Sequence, residues 1–264
     1  MIDLAEAYLL SRPACPQYAR QIRSRSKLFH AWLDGREPTA RLLNEYLTAL
    51  ENRGLKPETV RGYRTSLLAV LRFAGWQPES PIRHVRMRDR QVDCFSLEEL
   101  RLLIRTAEKM EGVLPNGVAY RDFWPLAIRS GYGTGLRYGD LFSVPAATID
   151  ADGVCHVVQS KTGRGVTVRF PKEATRAIRR HGLDSAVPWP YSGNQFRTEF
   201  KALVIASGVR RGSWKWLRRS AGTYMEAAKP GFGHKLLGNA ADIFRQHYWA
   251  FKLLNPGPVS PPEL

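Results

Sequence analysis

The spacing of apolar residues in the first 75 positions is the feature that most restricts how this chain can fold. Three successive segments repeat apolar side chains every three or four residues, which is the period of an amphipathic helix. The second segment begins at Thr39, a residue type that caps helix N-termini, and stops at Gly54, whereas Pro57 suits the first turn of the third. The pattern predicts a small helical bundle whose apolar stripes form a core rather than a cofactor site. The stripes are Tyr18, Ile22, Phe29, Trp32 and Leu33; Leu42, Leu43, Tyr46, Leu47 and Leu50; and Val60, Tyr63, Leu67, Leu68 and Leu71.

The stretch that follows, residues 76–95, keeps no apolar period and is rich in charge. We interpret it as a basic linker between a helical domain at 1–75 and a second domain at 96–264. Its arginines could lie along a phosphate backbone, although a solvated linker with incidental charge would have the same composition. These arginines are Arg83, Arg86, Arg88 and Arg90.

Local signals in the second domain predict a mainly helical α+β fold. Ser96 and Glu99 form a capping box that opens a helix over 97–109, and another helix is expected over 120–130. Two later β-like runs flank Ser160–Gly165, which is typical of a hairpin turn, so we expect a small antiparallel β-sheet. The β-like runs span 147–149, 154–159 and 166–170, and the helical pattern that starts at Lys172 is interrupted at 182–193, 208–213 and 229–233.

The charge of the chain indicates its kind of partner. It carries 40 Lys and Arg against 24 Asp and Glu, a formal net charge of +16, and the excess is spread over both halves. A distributed basic excess is typical of proteins that contact one extended polyanion. Nucleic acid is therefore favoured over a basic protein whose surface is merely solvated.

The cysteines and the lengths of the apolar runs indicate the cellular compartment of the protein. Cys15, Cys94 and Cys155 are widely spaced and lack any metal-ligand spacing, which indicates reduced thiols in a cytosolic protein. The first residues lack the basic region of a signal peptide, and no run approaches the ~18 apolar residues that a membrane span needs. We therefore expect a cytoplasmic protein with no membrane contact and no metal site.

Four distant segments contain the residue types that cleavage of DNA without a metal would need. The nonbridging phosphate oxygens gain charge in the transition state, and the planar fork of an arginine can hold two of them. A tyrosine can act as the nucleophile, and a lysine on a hairpin can protonate the leaving oxygen. The four residues are Arg137 within Thr134–Asp140, Lys161 at the hairpin tip, Arg218 within Leu217–Ser220, and Tyr248, which follows Asn239 by nine residues.

In this order and spacing the segments resemble those of the tyrosine recombinases, the family of phage integrases and site-specific DNA recombinases, over nearly the whole chain. The resemblance implies a helical core-binding domain followed by a catalytic domain. It implies that Tyr248 attacks the scissile phosphate to form a 3′-phosphotyrosine, that Arg137 and Arg218 hold the phosphate, and that Lys161 protonates the leaving 5′ oxygen. Asp140 matches the family's acidic residue three positions after the first arginine and would brace it.

The resemblance also implies partners and a cellular role. Double-stranded DNA would be the substrate, bound by a homotetramer that holds two duplexes. No cofactor is implied, because the energy of the broken bond is kept in the protein–DNA link. The setting is DNA recombination and integration, as carried out by mobile genetic elements, at the nucleoid in the cytoplasm. Arg164 in the hairpin turn is a further candidate contact to DNA.

Two candidate catalytic positions depart from the family's pattern. Lys215 stands three residues before Arg218, where the family usually has histidine, and Asn239 stands where it usually has histidine or tryptophan. Each can still donate a hydrogen bond, but neither can exchange a proton near neutral pH as an imidazole does. His234 and His247 lie close in sequence and are candidate substitutes.

Other assignments stay open on the sequence alone. A type IB topoisomerase would share the phosphotyrosine, and a DNA-binding protein derived from a recombinase would carry Lys215 and Asn239 as marks of lost catalysis. Trp214 and Trp216 are expected to pack in the core rather than to stack on bases. The competing residues are Arg219 for Arg218, Lys172 or Arg164 for Lys161, and Tyr191 or Tyr224 for Tyr248.

Overall fold

The computed structural model describes residues 1–12, 14–87, 92–248 and 250, and the chain divides into two compact units, Met1–Arg90 and Gln91–Leu264. The described residues are mainly helical, with one two-stranded antiparallel β-sheet, which confirms the predicted fold class. Among them, no helix has both the length and the apolar character that a bilayer crossing requires.

The first unit is a helical bundle. Thr39 caps its third helix by accepting a hydrogen bond from the Leu42 amide at 3.1 Å, and Pro57 lies in the first turn of the fourth, both as predicted. The first helix was not predicted, because only Ala5 and Tyr8 of its nine residues are buried, too few to produce a stripe. The described helices of this unit are α1 (Ile2–Leu10), α2 (Pro16–Leu33), α3 (Ala40–Asn52) and α4 (Pro57–Phe73).

Much of the segment predicted as a linker packs against this bundle. Ile82 and Val85 are buried in the same apolar cluster as α3 and α4, and Glu79 accepts a hydrogen bond from the Ala40 amide at 2.7 Å. At its other end, Phe95 is buried in the core of the second unit. The domain boundaries at 75 and 96 stay a prediction, whereas the structure divides the chain once, after Arg90. The sequence does not indicate this packing, because two apolar residues among arginines are too few to show a period.

The second unit begins with the predicted capping box: the Ser96 side chain accepts from the Glu99 amide at 3.1 Å, and the Glu99 side chain accepts from the Ser96 amide at 2.7 Å. Its described elements are α5 (Leu97–Ala107), α6 (Tyr120–Thr134), α7 (Tyr138–Phe142), β1 (Val154–Val158), β2 (Gly165–Arg169), α8 (Lys172–His181), α9 (Gly193–Ala206), α10 (Trp214–Ala228), α11 (Gly233–Leu237) and α12 (Ala241–His247).

The β-like run at 147–149 is wrongly predicted as extended. A 3₁₀ turn covers Ala146–Thr148, and the amides of Thr148 and Ile149 donate to the carbonyls of Pro145 and Ala146 at 3.1 and 3.2 Å. These amides are satisfied locally, so no neighbouring strand is needed to pair with them.

The predicted hairpin is confirmed. β1 and β2 pair from Val154↔Arg169 to Val158↔Gly165, and the turn between them carries Lys161. The inward side chains of the strands are buried in the core, whereas the alternate ones are exposed, as expected for a sheet with one solvated face.

Aromatic side chains fill much of the core of the second unit. Trp214 is 5% exposed and packs edge-on against Phe196 and Phe200, with ring centroids 4.9 and 5.2 Å apart. Trp216 packs against Phe95 at 5.2 Å. Both tryptophans therefore pack on aromatic rings of the core, but both also line a cavity, so the choice of packing over base stacking stays a prediction.

Candidate active site

A cavity of about 720 Å³ in the second unit brings together side chains from distant parts of the sequence. Its wall includes Arg137, Lys161, Lys215, Arg218 and Tyr248. These are the four residues expected to carry the chemistry, together with the lysine that replaces the family's histidine. Of the competing residues named above, none lines this cavity.

Arg137 is placed by the connection between α6 and α7. Gly135 ends α6 with φ +62°, in the left-handed region that favours glycine, and Arg137 is the N-cap residue of α7. The Nη1 atom of Arg137 donates to Oε1 of Gln159 at 2.8 Å and lies 3.5 Å from Oδ2 of Asp140. The guanidinium is held on one side, and a quarter of the side chain is exposed.

Asp140 joins this connection to the hairpin. Its side chain is 1% exposed, and its Oδ1 atom accepts hydrogen bonds from the amide and hydroxyl of Ser160 at 2.9 and 2.6 Å. A buried carboxylate needs such partners, because its desolvation is otherwise costly. Asp140 thus braces Arg137 and also fixes the base of the turn that carries Lys161.

Arg218 is almost fully buried, with 3% of its surface exposed. Its Nη1 atom donates to the Gly135 carbonyl, and its Nη2 atom donates to the Leu237 carbonyl at 2.6 Å. Burial lowers the pKa of this guanidinium, yet an arginine keeps its proton. The neighbouring Arg219 instead donates to the backbone carbonyls of His247 and Asp93, at 3.0 and 3.2 Å, which leaves Arg218 as the arginine of the cavity.

Tyr248 follows α12 as its C-cap residue and is half-buried. Its backbone is tied to α10, because the Thr223 hydroxyl donates to the Tyr248 carbonyl at 2.9 Å and accepts from the Ala250 amide at 3.1 Å. The Arg218 guanidinium carbon lies 5.3 Å from the centroid of the phenol ring, and the Lys215 ammonium lies 5.5 Å from it.

The cations of the cavity change the acidity of this phenol. Burial by itself would raise the pKa of Tyr248, but the positive charges of Arg218, Lys215 and Arg137 outweigh it and lower the pKa below its ordinary value. The competing Tyr224 is different, since burial raises its pKa to about 12. The cavity therefore favours the phenolate of Tyr248 in particular.

The two departures from the family's pattern have different surroundings. Lys215 lines the cavity, and its pKa is lowered by partial desolvation and then by the positive charges of Arg219, Lys161 and Arg218. Asn239 is not a lining residue. Its backbone N–H donates to the His234 carbonyl at 3.0 Å, and its side-chain Nδ2 atom is buried without a hydrogen-bond partner in the described structure. His234 and His247 do not line the cavity either.

Sequence reasoning missed three further basic residues that line the cavity. Arg197 and Lys201 project from α9 one turn apart, and Arg211 precedes α10. Nη1 of Arg197 donates to the Tyr138 hydroxyl at 2.9 Å. Basic residues four positions apart in a predicted helix were the available signal.

Of the arginines expected to contact DNA, the described ones, Arg83, Arg86 and Arg164, do not line this cavity. Arg83 forms an ion pair with Glu51 at 2.9 Å, so its charge is already engaged within the first unit. Arg86 and Arg164 are exposed, whereas the prediction for Arg88 and Arg90 lies outside the described residues. Within the described part of the chain, no group of three or more His, Cys, Asp or Glu side chains could hold a metal ion.

Comparison with known proteins identifies the fold. No protein-family model and no curated protein matches the chain by sequence. A lambda integrase dimer (residues 75–356) bound to a COC′ core site matches with a TM-score of 0.76 and 18% identity, over 99% of this chain and 97% of that one. The XerH site-specific recombinase in its pre-cleavage complex with difH substrate matches with a TM-score of 0.71 and 15% identity, over 94% and 80%.

A transposon enzyme is similar as well. The Tn1549 transposon integrase (residues 82–397), in complex with circular intermediate DNA, matches with a TM-score of 0.69 and 13% identity, over 93% of this chain and 94% of that one. The chain therefore has the fold of the tyrosine recombinases. The match to the lambda integrase fragment covers nearly the whole chain, which confirms the resemblance at the level of the fold.

Proposed function

We propose that this protein is a site-specific DNA recombinase that cleaves and rejoins DNA through a 3′-phosphotyrosine at Tyr248. The observation that carries the proposal is the convergence of Arg137, Lys161, Arg218 and Tyr248 on one cavity from four separate elements of the second unit. Cations on that cavity also lower the pKa of the phenol that would attack.

The proposed reaction starts with a DNA phosphodiester in the cavity. The phenol oxygen of Tyr248 forms a bond to phosphorus and releases its proton to solvent, while Arg137 and Arg218 stabilise the charge on the nonbridging oxygens. The bond from phosphorus to the 5′ oxygen breaks, and Lys161 gives that oxygen a proton. A 5′-hydroxyl of a partner strand then reverses these steps and frees Tyr248.

The two departures from the family's pattern take supporting roles in this proposal. Lys215 supplies a positive donor beside the nonbridging oxygens, and its charge favours the phenolate of Tyr248. Asn239 does not line the cavity, so its role is indirect: its backbone amide donates to the His234 carbonyl and helps to hold the segment after α11. Neither is needed to move a proton, because Lys161 and solvent account for both proton transfers.

Double-stranded DNA is the proposed substrate, and a homotetramer on two duplexes is the proposed assembly. The net charge of +16 supports the first. Structures of similar fold support both: a lambda integrase tetramer is bound to a Holliday junction, and XerH is bound to a palindromic difH substrate.

Covalent trapping tests the proposal directly. The protein is incubated with a library of nicked duplexes of random sequence, in which loss of the short cleaved strand prevents rejoining, and adducts are separated under denaturing conditions. We expect a covalent adduct in which the DNA is attached to the peptide that contains Tyr248. Tyr248→Phe should form none, whereas the matched control Tyr191→Phe should react as the wild type does. An adduct in Tyr248→Phe, or a nucleotide on another residue, would contradict the assignment.

A second candidate function is a DNA-binding protein without catalysis, which is favoured by the two departures from the family's pattern, Lys215 and Asn239. Such a protein would bind DNA with a steep dependence on salt and yield no adduct on any library member. A type IB topoisomerase would instead relax supercoiled plasmid at low protein concentration without a preferred site.

A further inference from the structure

Gln159 directly follows β1, and its side chain contacts the surroundings of both cavity arginines. It is fully buried. Its Oε1 atom accepts from Nη1 of Arg137 at 2.8 Å, and its Nε2 atom donates to the Leu237 carbonyl at 3.1 Å. That carbonyl also accepts from Nη2 of Arg218, at 2.6 Å. One amide group therefore connects the two guanidinium groups through a single shared carbonyl.

The backbone of Gln159 also holds the turn that carries Lys161. Its amide donates to the Arg164 carbonyl at 2.9 Å, and its carbonyl accepts from the amides of Thr162 and Gly163 at 3.2 and 2.8 Å. The side chain and the main chain of this residue thus touch the supports of three of the four residues expected to carry the chemistry.

The chain leaves room for this arrangement at Gly238. Its φ is +61°, and a Cβ atom built there would lie 3.1 Å from Nε2 of Gln159 and 2.7 Å from Cγ1 of Val166. A glycine is therefore required for the end of α11 to approach the buried amide.

We propose that Gln159 is a positioning residue that sets the orientation of Arg137 relative to Arg218 and so the geometry of the phosphate site. This inference rests on the proposed function. A neutral amide suits the task because it accepts from the guanidinium and donates to the carbonyl at the same time. A carboxylate at this position would keep the contact with Arg137 but would repel the Leu237 carbonyl oxygen, and an apolar side chain would lose both contacts.

The experiment compares three full-length variants with the wild type. Gln159→Leu removes the side-chain hydrogen bonds to Arg137 and the Leu237 carbonyl, and also the one from the Thr162 hydroxyl at 3.3 Å. Gln159→Glu keeps the acceptor for Arg137. Val168→Ala is the control that weakens the packing of the same hairpin without touching either arginine. For each we measure the single-turnover rate of adduct formation at saturating nicked DNA, the dissociation constant for the same DNA, and the melting temperature.

If Gln159 positions the arginines, its substitution should change the single-turnover rate much more than the dissociation constant for DNA. The single-turnover rate of Gln159→Leu should fall by about tenfold or more, since small displacements of catalytic groups have large effects on rate, while its dissociation constant changes by less than about threefold. The rate of Gln159→Glu should lie between those of Gln159→Leu and the wild type. Val168→Ala should melt at a lower temperature yet react at close to the wild-type rate.

Two results would overturn the inference, and they are distinguishable from failure of the proposed function. The inference would be refuted if both Gln159 variants reacted at the wild-type rate. It would also be refuted if the single-turnover rate of Val168→Ala fell as far as that of Gln159→Leu, because the fall would then come from weakened packing of the hairpin. If the wild type itself forms no Tyr248-dependent adduct, the proposed function fails and the positioning role fails with it.

Discussion

Substitution of Gly135 by alanine is the perturbation whose effect can be worked out most fully. Gly135 has φ +62°, and a Cβ atom there would lie 2.6 Å from Cδ2 of Leu237, which is fully buried and cannot move aside freely. The left-handed backbone costs a residue with a Cβ roughly 1–2 kcal/mol. Overpacking a filled core adds about 1–3 kcal/mol. We therefore expect Gly135→Ala to lower the free energy of unfolding by about 2–5 kcal/mol.

The same substitution should also reduce catalysis, because it displaces the carbonyls of Gly135 and Leu237 that hold Arg218. Gly139 offers a matched control within the same segment. It lies in α7, and a Cβ atom there meets nothing within 4 Å. Gly139→Ala should leave the free energy of unfolding unchanged or raise it by about 0.4–1 kcal/mol, since alanine restricts the unfolded chain.

Urea denaturation followed by tryptophan fluorescence measures both free energies, and adduct formation on nicked DNA measures the chemical consequence. The reasoning would be refuted if Gly135→Ala unfolded within about 0.5 kcal/mol of the wild type, the range of ordinary surface substitutions. Equal destabilisation by Gly139→Ala would also refute it, because the effect would then not come from the left-handed backbone and the contact with Leu237.

Three further predictions follow from the same structure. Lys215→Met should raise the pKa of Tyr248, because it removes a positive charge that favours the phenolate. The pH profile of the single-turnover rate of adduct formation should therefore shift to higher pH than in the wild type, and an unshifted profile would contradict this. Lys201→Ala should reduce the slope of log affinity for DNA against log salt by about 1, as measured by fluorescence anisotropy; an unchanged slope would mean that the cavity wall does not contact phosphate. Ser96→Ala should lower the free energy of unfolding by about 1 kcal/mol through loss of the capping box, whereas Ser96→Asp should keep most of the stability that the cap provides. Equal urea midpoints for Ser96→Ala and the wild type would count against the cap.

Elements bounded by local hydrogen bonds could be predicted from the sequence. The caps at Thr39 and Ser96 involve partners three residues away, and the turn between β1 and β2 closes over a few residues. Such interactions depend on side-chain types at fixed short spacings, which are visible in the sequence.

Elements that depend on packing could not be predicted in the same way. α1 forms although it buries only two side chains, and Ile82 and Val85 dock on the first unit from a segment without any period. At 146–148 the local 3₁₀ hydrogen bonds prevail over the extended conformation that the apolar residues suggested. In each case the deciding partner is either distant in the sequence or a backbone group that the side-chain pattern does not reveal.

For the candidate site, the sequence alone determined the residue types and their order, because both are properties of the chain before it folds. Only the tertiary structure decided which neighbours share the cavity. Successive residues of a helix point about 100° apart, so Arg218 faces Tyr248 while Arg219 turns to the carbonyls of His247 and Asp93. The link from Arg137 to Arg218 through Gln159 depends in the same way on carbonyls and side chains that only folding brings within hydrogen-bonding distance.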